Sequence, residues 1–222
     1  ECSKYWCHYG TEKSLTQTAE KTELENVSIN DIMEEIDNEY KVFETKDEAK
    51  AWVDDVTTEW LKSLTESERK AITHYTGPAY KDINNYLRRK KTGDKNLDKI
   101  ISDISNGLNK FELKENITVF RGIGEDIFGV AFEELEGLEF KDEGFISTAL
   151  IKEPANKIFL EEDGYLFEIR IPKGTKGAAI SPVSQYSNEF EFLLDKGTRF
   201  KIVKAQKEKE NKKIIMEVVE DD

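Results

Sequence analysis

The chain has 222 residues, enough for one well-filled domain and short for two. Its net charge of -13, from 33 basic and 46 acidic side chains, argues against a general nucleic-acid binder, whose affinity comes largely from neutralising phosphates. With 37% hydrophobic and 36% charged residues, a packed core with a well-solvated surface is expected, and no apolar run nears the roughly 18 residues of a membrane span.

In chain order, Cys2 and Cys7 come first, both within the opening ten residues. A small disulfide loop there would suit an exported protein, but it is too local to staple a fold. No histidine stands near them at ligand spacing, so no metal is expected. The chain opens on Glu1 without a signal peptide, which predicts a processed form or a fragment. Residues 1–22 show no periodicity and are set apart as an N-terminal extension.

A helical part is expected over 23–115. Trp52, Val53, Val56, Trp60, Leu61 and Leu64 form one apolar stripe, and Leu97, Ile100, Ile101, Ile104 and Leu108 another. Between them Thr65 and Glu68 have the spacing of a capping box, opening a short helix through Tyr75. Gly77-Pro78 should break it, after which Tyr80, Ile83, Asn84 and Leu87 share a face of the next helix. Arg88-Arg89-Lys90-Lys91 reads as a solvated helix end.

From residue 116 to 222 the pattern changes to strands separated by turns. The expected strands are Thr118–Arg121, Gly144–Thr148, Tyr165–Ile171, Glu189–Leu194, Arg199–Val203 and Ile214–Val219, with turns at Pro172-Lys173-Gly174 and Asp195-Lys196-Gly197. Helices followed by strands define an α+β class in a single domain. Gly122-Ile123-Gly124 lacks the third glycine and the helix of a dinucleotide fingerprint, so that motif is set aside.

Three strand-borne motifs carry chemistry. In Ile117-Thr118-Val119-Phe120-Arg121-Gly122 an arginine ends an apolar strand. Its flat fork suits phosphate oxygens, and Gly122 lets a ligand approach the backbone. In Gly144-Phe145-Ile146-Ser147-Thr148-Ala149 two hydroxyls follow an apolar pair, and Ser147 is placed to orient a neighbouring carboxylate. No base partner makes Ser147 a nucleophile, and His8 and His74 have no supporting acid. In Tyr186-Ser187-Asn188-Glu189-Phe190-Glu191-Phe192-Leu193-Leu194, strand alternation puts Glu189 and Glu191 on one side and Phe190 and Phe192 on the other. Like charges held that close raise at least one pKa or demand a cation.

This ordered set resembles the Arg, Ser-Thr-Ser and Glu-x-Glu series of bacterial mono-ADP-ribosyltransferase toxins. The resemblance is first to the enzymatic components of iota-type binary toxins and second to Rho-modifying exoenzymes. It covers roughly residues 45–205, including Tyr75-Thr76-x-x-x-Tyr80-x-x-Ile83-Asn84-x-Tyr86-Leu87 and Gly197-Thr198-Arg199-Phe200-Lys201-Ile202. Two positions depart from the pattern. Ala149 replaces the third serine, and Glu161-Glu162 stands where those toxins carry a basic residue after the aromatic.

The resemblance implies a helical segment packed on two antiparallel sheets that flank a cleft for NAD, the co-substrate. Arg121 would hold the phosphates, aided by Asn84 and the backbone at Gly122, and Thr148 would belong to the wider NAD-binding set. Phe159 would pack on the nicotinamide, with Tyr75 and Tyr80 lining the nicotinamide–ribose end. Glu191, its rotamer fixed by Ser147, would bond the ribose 2′-hydroxyl and stabilise the positive charge that spreads over the sugar as nicotinamide leaves. Glu189 would orient and deprotonate the acceptor, with Tyr186 touching the incoming protein. In the Rho-modifying relatives that first Glu is Gln and the acceptor is asparagine, so Glu189 favours an arginine.

The implied partner is a host protein bearing that arginine, with actin a candidate, and no nucleic acid. The implied enzyme is a secreted monomer acting in the host cytosol, with NAD hydrolysis as a side activity. The alternative is a catalytically dead copy of the fold that binds a translocation partner. Such copies typically lose the Glu pair retained here.

Overall fold

The structure, a computed structural model, describes residues 39–124, 127–153, 164–208 and 211–219. Cys2, Cys7 and Phe159 lie outside them. Helix α1 (Lys46–Ser63) starts at a capping box that the sequence reading did not anticipate. Thr45 Oγ1 accepts from Glu48 N at 3.2 Å, and the Glu48 carboxylate accepts from Thr45 N. The predicted tryptophan stripe is its core face. Trp52, Val53 and Trp60 are buried, while Val56, Leu61 and Leu64 pack at the margin.

Helix α2 (Glu66–His74) opens on the expected Thr65/Glu68 box. Glu68 also accepts from Lys110 Nζ at 2.6 Å, tying the start of α2 to the end of α4 (Lys95–Leu108). Asp94 caps α4 by accepting from Asn96 N and Leu97 N. The two helices pack so closely that a Cβ added at Gly107 would meet Ile72 Cδ1 at 2.9 Å. At Gly77-Pro78 the chain kinks rather than stopping. A wide turn, Tyr75–Ala79, runs straight into α3 (Tyr80–Arg88).

The strands are β1 (Ile117–Ile123), β2 (Glu139–Lys141), β3 (Ile146–Ala149), β4 (Tyr165–Ile171), β5 (Gly177–Ala179), β6 (Glu191–Leu194), β7 (Arg199–Glu208) and β8 (Asn211–Val219). They form one eight-stranded mixed sheet in the order β2-β7-β8-β4-β1-β3-β6-β5. The two expected antiparallel sheets are thus two halves of one sheet, and β4 and β8 run parallel. The halves meet at one register pair among the described residues, Phe120 opposite Ala149. By contrast β1 and β4 pair along seven positions, from Ile117 opposite Ile171 to Ile123 opposite Tyr165. A continuous core joins the helices to both halves, with Ile72, Ile83, Ile104, Phe145, Phe192 and Phe200 almost wholly inaccessible. At this size such a core provides the main stabilisation.

The α+β class holds. Tyr165–Ile171 has the predicted bounds, and β7 and β8 run further toward their shared hairpin than expected. Strands β2 and β5 were not anticipated. Three residues are too few for an alternating pattern to show.

Candidate active site

The cleft lies where the kink and α3 face the seam between the sheet halves. It has a volume of about 520 Å³ and is lined by residues from both halves and from the helical wall. That volume is within the roughly 300–1,000 Å³ of small-molecule sites. Arg121 reaches it from β1, Ser147 and Ala149 from β3, Glu191 from β6, and Tyr75, Tyr80 and Arg88 from the helical side. Glu189 and Tyr186 stand at its rim, on the loop between β5 and β6.

The two glutamates meet by a route different from simple strand alternation. Ser187–Glu189 is a short helical turn, and the strand begins only at Glu191. Between them Phe190 takes a left-handed conformation, φ 47° and ψ 49°, uncommon for a non-glycine residue. This turn swings Glu189 outward while leaving it on the same cleft. Glu189 is consequently exposed, whereas Glu191 is only 7% accessible. Burial raises the Glu191 carboxyl from its ordinary value to about 7. A hydrogen bond from Ser147 and the charge of Arg121 act in the lowering direction, and the neighbouring Glu189 raises it.

Ser147 and Glu191 face each other diagonally across β3 and β6, where Ala149 is the direct register partner of Glu191. The two side chains thus share a face, and the serine hydroxyl acts to lower the Glu191 carboxyl. Thr148 points to the opposite face, and its hydroxyl donates to Phe192 O at 2.6 Å. Thr148 is nevertheless among the residues that line the cleft. Arg121 Nη1 donates to Ser147 O at 2.5 Å, so the guanidinium bridges the seam. Burial, then the adjacent Arg88, lowers its pKa, yet an arginine keeps its charge in proteins.

Asn84 lines the cleft and also holds the fold together. Its Nδ2 donates to Tyr75 Oη and Phe145 O, both at 3.1 Å, and its Oδ1 accepts from Phe145 N at 3.0 Å. It anchors α3 to the chain entering β3. A Cβ at Gly144 would meet Asn84 Oδ1 at 2.9 Å, so the glycine permits this close approach. Tyr75 is buried in the same group, and burial pushes its phenol well up.

Arg88 was read as part of a solvated helix end, but it lines the cleft. Its Nε and Nη2 donate to both oxygens of Asp142 at 2.9 and 2.8 Å. Asp142 is 1% accessible and also accepts from Gly144 N. The available signal was spacing. Arg88 follows Asn84 by four residues and so shares its helix face. The run of four basic residues masked it.

A buried acid and an exposed acid opposite two guanidiniums, on a sheet split in two halves beneath a helical wall, define the site of an ADP-ribosyltransferase fold. Comparison with known proteins agrees. The family model described as ADP-ribosyltransferase exoenzyme matches residues 49–220, and the chain belongs to that family.

Among curated relatives, the NAD(+)–arginine ADP-ribosyltransferase EFV of Enterococcus faecalis is 30% identical over 155 residues, 67% of this chain and 31% of that protein. The chain thus spans about a third of that relative's length. The mono-ADP-ribosyltransferase C3 of Hathewaya limosa is 27% identical over 201 residues, 80% of this chain and 78% of the relative. Among solved structures, Plx2a, an ADP-ribosyltransferase toxin from Paenibacillus larvae, superposes with a TM-score of 0.71 at 30% identity, covering 81% of this chain and 99% of that one. The protein is thus of the bacterial mono-ADP-ribosyltransferase toxin type, a class that uses NAD as substrate. No helix among the described residues is long and apolar enough to cross a membrane.

Proposed function

We propose that this chain cleaves NAD and transfers the ADP-ribose to an arginine of a host protein, with hydrolysis of NAD as a side reaction. The observation that carries this reading is the unequal pair of glutamates in one cleft, Glu191 buried and on the same face as Ser147, Glu189 exposed at the rim. Two carboxyls with different surroundings suit two roles.

The cleft's residues fit NAD. Arg88 and Arg121 supply positive charge for a diphosphate, and Tyr75 and Tyr80 offer ring surface beside Glu191. The co-substrate supplies a glycosidic bond whose electron pair departs with nicotinamide. Glu191, when ionised, stabilises the positive charge left on the ribose, as in glycosidases. Arg121 and the backbone at Gly122 hold the phosphate end. Glu189 receives the acceptor. A guanidinium, with a pKa above about 12, attacks poorly while protonated. An exposed carboxylate beside it can orient it and accept a proton as the new bond forms. Glu189 in place of the glutamine of Rho-modifying exoenzymes, and the arginine-directed activity in the name of the Enterococcus relative, both favour arginine.

Incubation with labelled NAD and agmatine, followed by mass spectrometry, tests the reading. Transfer to agmatine supports it. Free ADP-ribose alone indicates a glycohydrolase, and neither product indicates a binding module. Glu191→Ala should abolish both reactions, while Glu189→Ala should lose transfer and retain measurable hydrolysis. Equal loss of both in the Glu189 variant removes its acceptor role. Treating lysate with tagged NAD would identify the acceptor protein, for which actin is a candidate through the binary-toxin resemblance. Secretion and action in the host cytosol are inferred from the toxin relatives.

A further inference from the structure

The loop that joins β5 to β6 and carries Tyr186 and Glu189 is held at its base, where Ile180 N donates to Glu191 O at 3.0 Å. From Gln185 to Glu189 every residue is exposed, so burial does not fix this stretch. Its middle is instead bonded to the helical wall. Thr73 Oγ1 donates to Val183 O at 2.7 Å, Gln185 N donates to Thr76 Oγ1 at 3.0 Å, and Gln185 Nε2 donates to Thr73 O at 2.9 Å. Thr73 lies in the last turn of α2, and Thr76 belongs to the kink that also carries Tyr75.

Gly77 lies directly beneath the Gln185 amide. Its φ of -88° is open to any residue, so backbone freedom is not the reason for a glycine here. A Cβ at that position would lie 2.6 Å from Gln185 Nε2. Contact that close is forbidden, and the end of the flexible glutamine is what would move. Gly77 is thus the seat that admits the Gln185 side chain.

We propose that Gln185, seated over Gly77, is a positioning residue that fixes the Tyr186–Glu189 stretch against the wall bearing Tyr75. Acceptor modification then depends on this latch, while cleavage of NAD, carried by Glu191 on the strand beyond, does not. The proposal rests on the acceptor role assigned to Glu189. With the latch open the exposed stretch samples other positions, and Glu189 is less often beside the acceptor nitrogen.

The test compares Gln185→Ala, Gly77→Ala and the double variant, measuring initial rates of agmatine modification and of NAD hydrolysis. Each single variant loses the bond from Gln185 Nε2 to Thr73 O while keeping the backbone bond to Thr76, so transfer should fall about three- to tenfold, with hydrolysis within about twofold of the parent. The double variant should be no worse than either single one, because both changes open the same latch. A parallel fall in both reactions would mean a general structural role and overturn the proposal, as would additive losses or unchanged transfer. Glu189→Ala serves as reference. If it keeps transfer, the acceptor reading has failed. If it loses transfer while the latch variants match the parent, the latch alone has failed.

Discussion

Replacing Ser147 with alanine should shift the pH at which the enzyme becomes active. The hydroxyl acts to lower the Glu191 carboxyl, which sits at about 7 because burial outweighs it and the Arg121 charge. A hydrogen bond to a charged group is worth about 1.5–3 kcal/mol. Its loss corresponds to an upward move of about one to two pH units. If the ionised carboxylate is the working form, kcat/KM for NAD hydrolysis climbs with pH through about 7 in the parent and levels above it. In Ser147→Ala the ionised fraction at neutral pH falls from about half to between a tenth and a hundredth, so the rate there drops about five- to fifty-fold. At pH above about 9.5 most of the difference should vanish, since both carboxyls are then ionised. The backbone carbonyl of Ser147, which receives Arg121, is retained in the variant, so the placement of Arg121 is undisturbed. Initial rates across the pH range read the effect directly. An activity limb at unchanged pH, or a deficit that persists at high pH, would refute this account of Glu191.

The same raised carboxyl predicts a stability cost. A folded-state value above the unfolded one contributes stability at low pH that is lost as pH rises, here between the ordinary 4.5 and about 7. At pH 8 the cost is at most about 3 kcal/mol, so Glu191→Gln should raise Tm at pH 8 and have much less effect at pH 4. An equal gain at both would contradict it. Arg88→Ala should destabilise by about 3–5 kcal/mol, because Asp142 would remain buried with its bidentate partner gone. Urea unfolding measures this, and a change under about 1 kcal/mol would show that Asp142 finds other compensation.

Elements with long, periodic apolar faces were legible from the sequence: the tryptophan stripe of α1, the leucine and isoleucine stripe of α4, and β4 buried on both faces. The Thr65/Glu68 box was equally plain, because the cap needs only residues three apart. What escaped was set by contacts distant in sequence. The division into two sheets missed the single pair that joins β1 to β3. The alternation rule brought Glu189 and Glu191 together correctly but for the wrong reason, since a left-handed Phe190 is invisible in composition. Asn84 and Thr148 line the cleft as expected, and each also binds a backbone partner that no local pattern discloses. Arg88 was hidden by its basic neighbours, and its partner Asp142 lies in a different segment. Phe159 falls outside the described residues.

The seam between the sheet halves has a mechanical consequence. Among the described residues one ladder rung spans it, crossed also by the Arg121 guanidinium, whereas each half is knit internally by longer ladders. Arg121, proposed to hold the phosphates, belongs to one half and Glu191, proposed to face the sugar, to the other, so a dinucleotide bound in that way would act as a brace. Amides flanking Phe120 and Ala149 should therefore exchange with deuterated solvent more slowly once the brace is in place, and the weakest join in the sheet becomes the part that most feels the ligand.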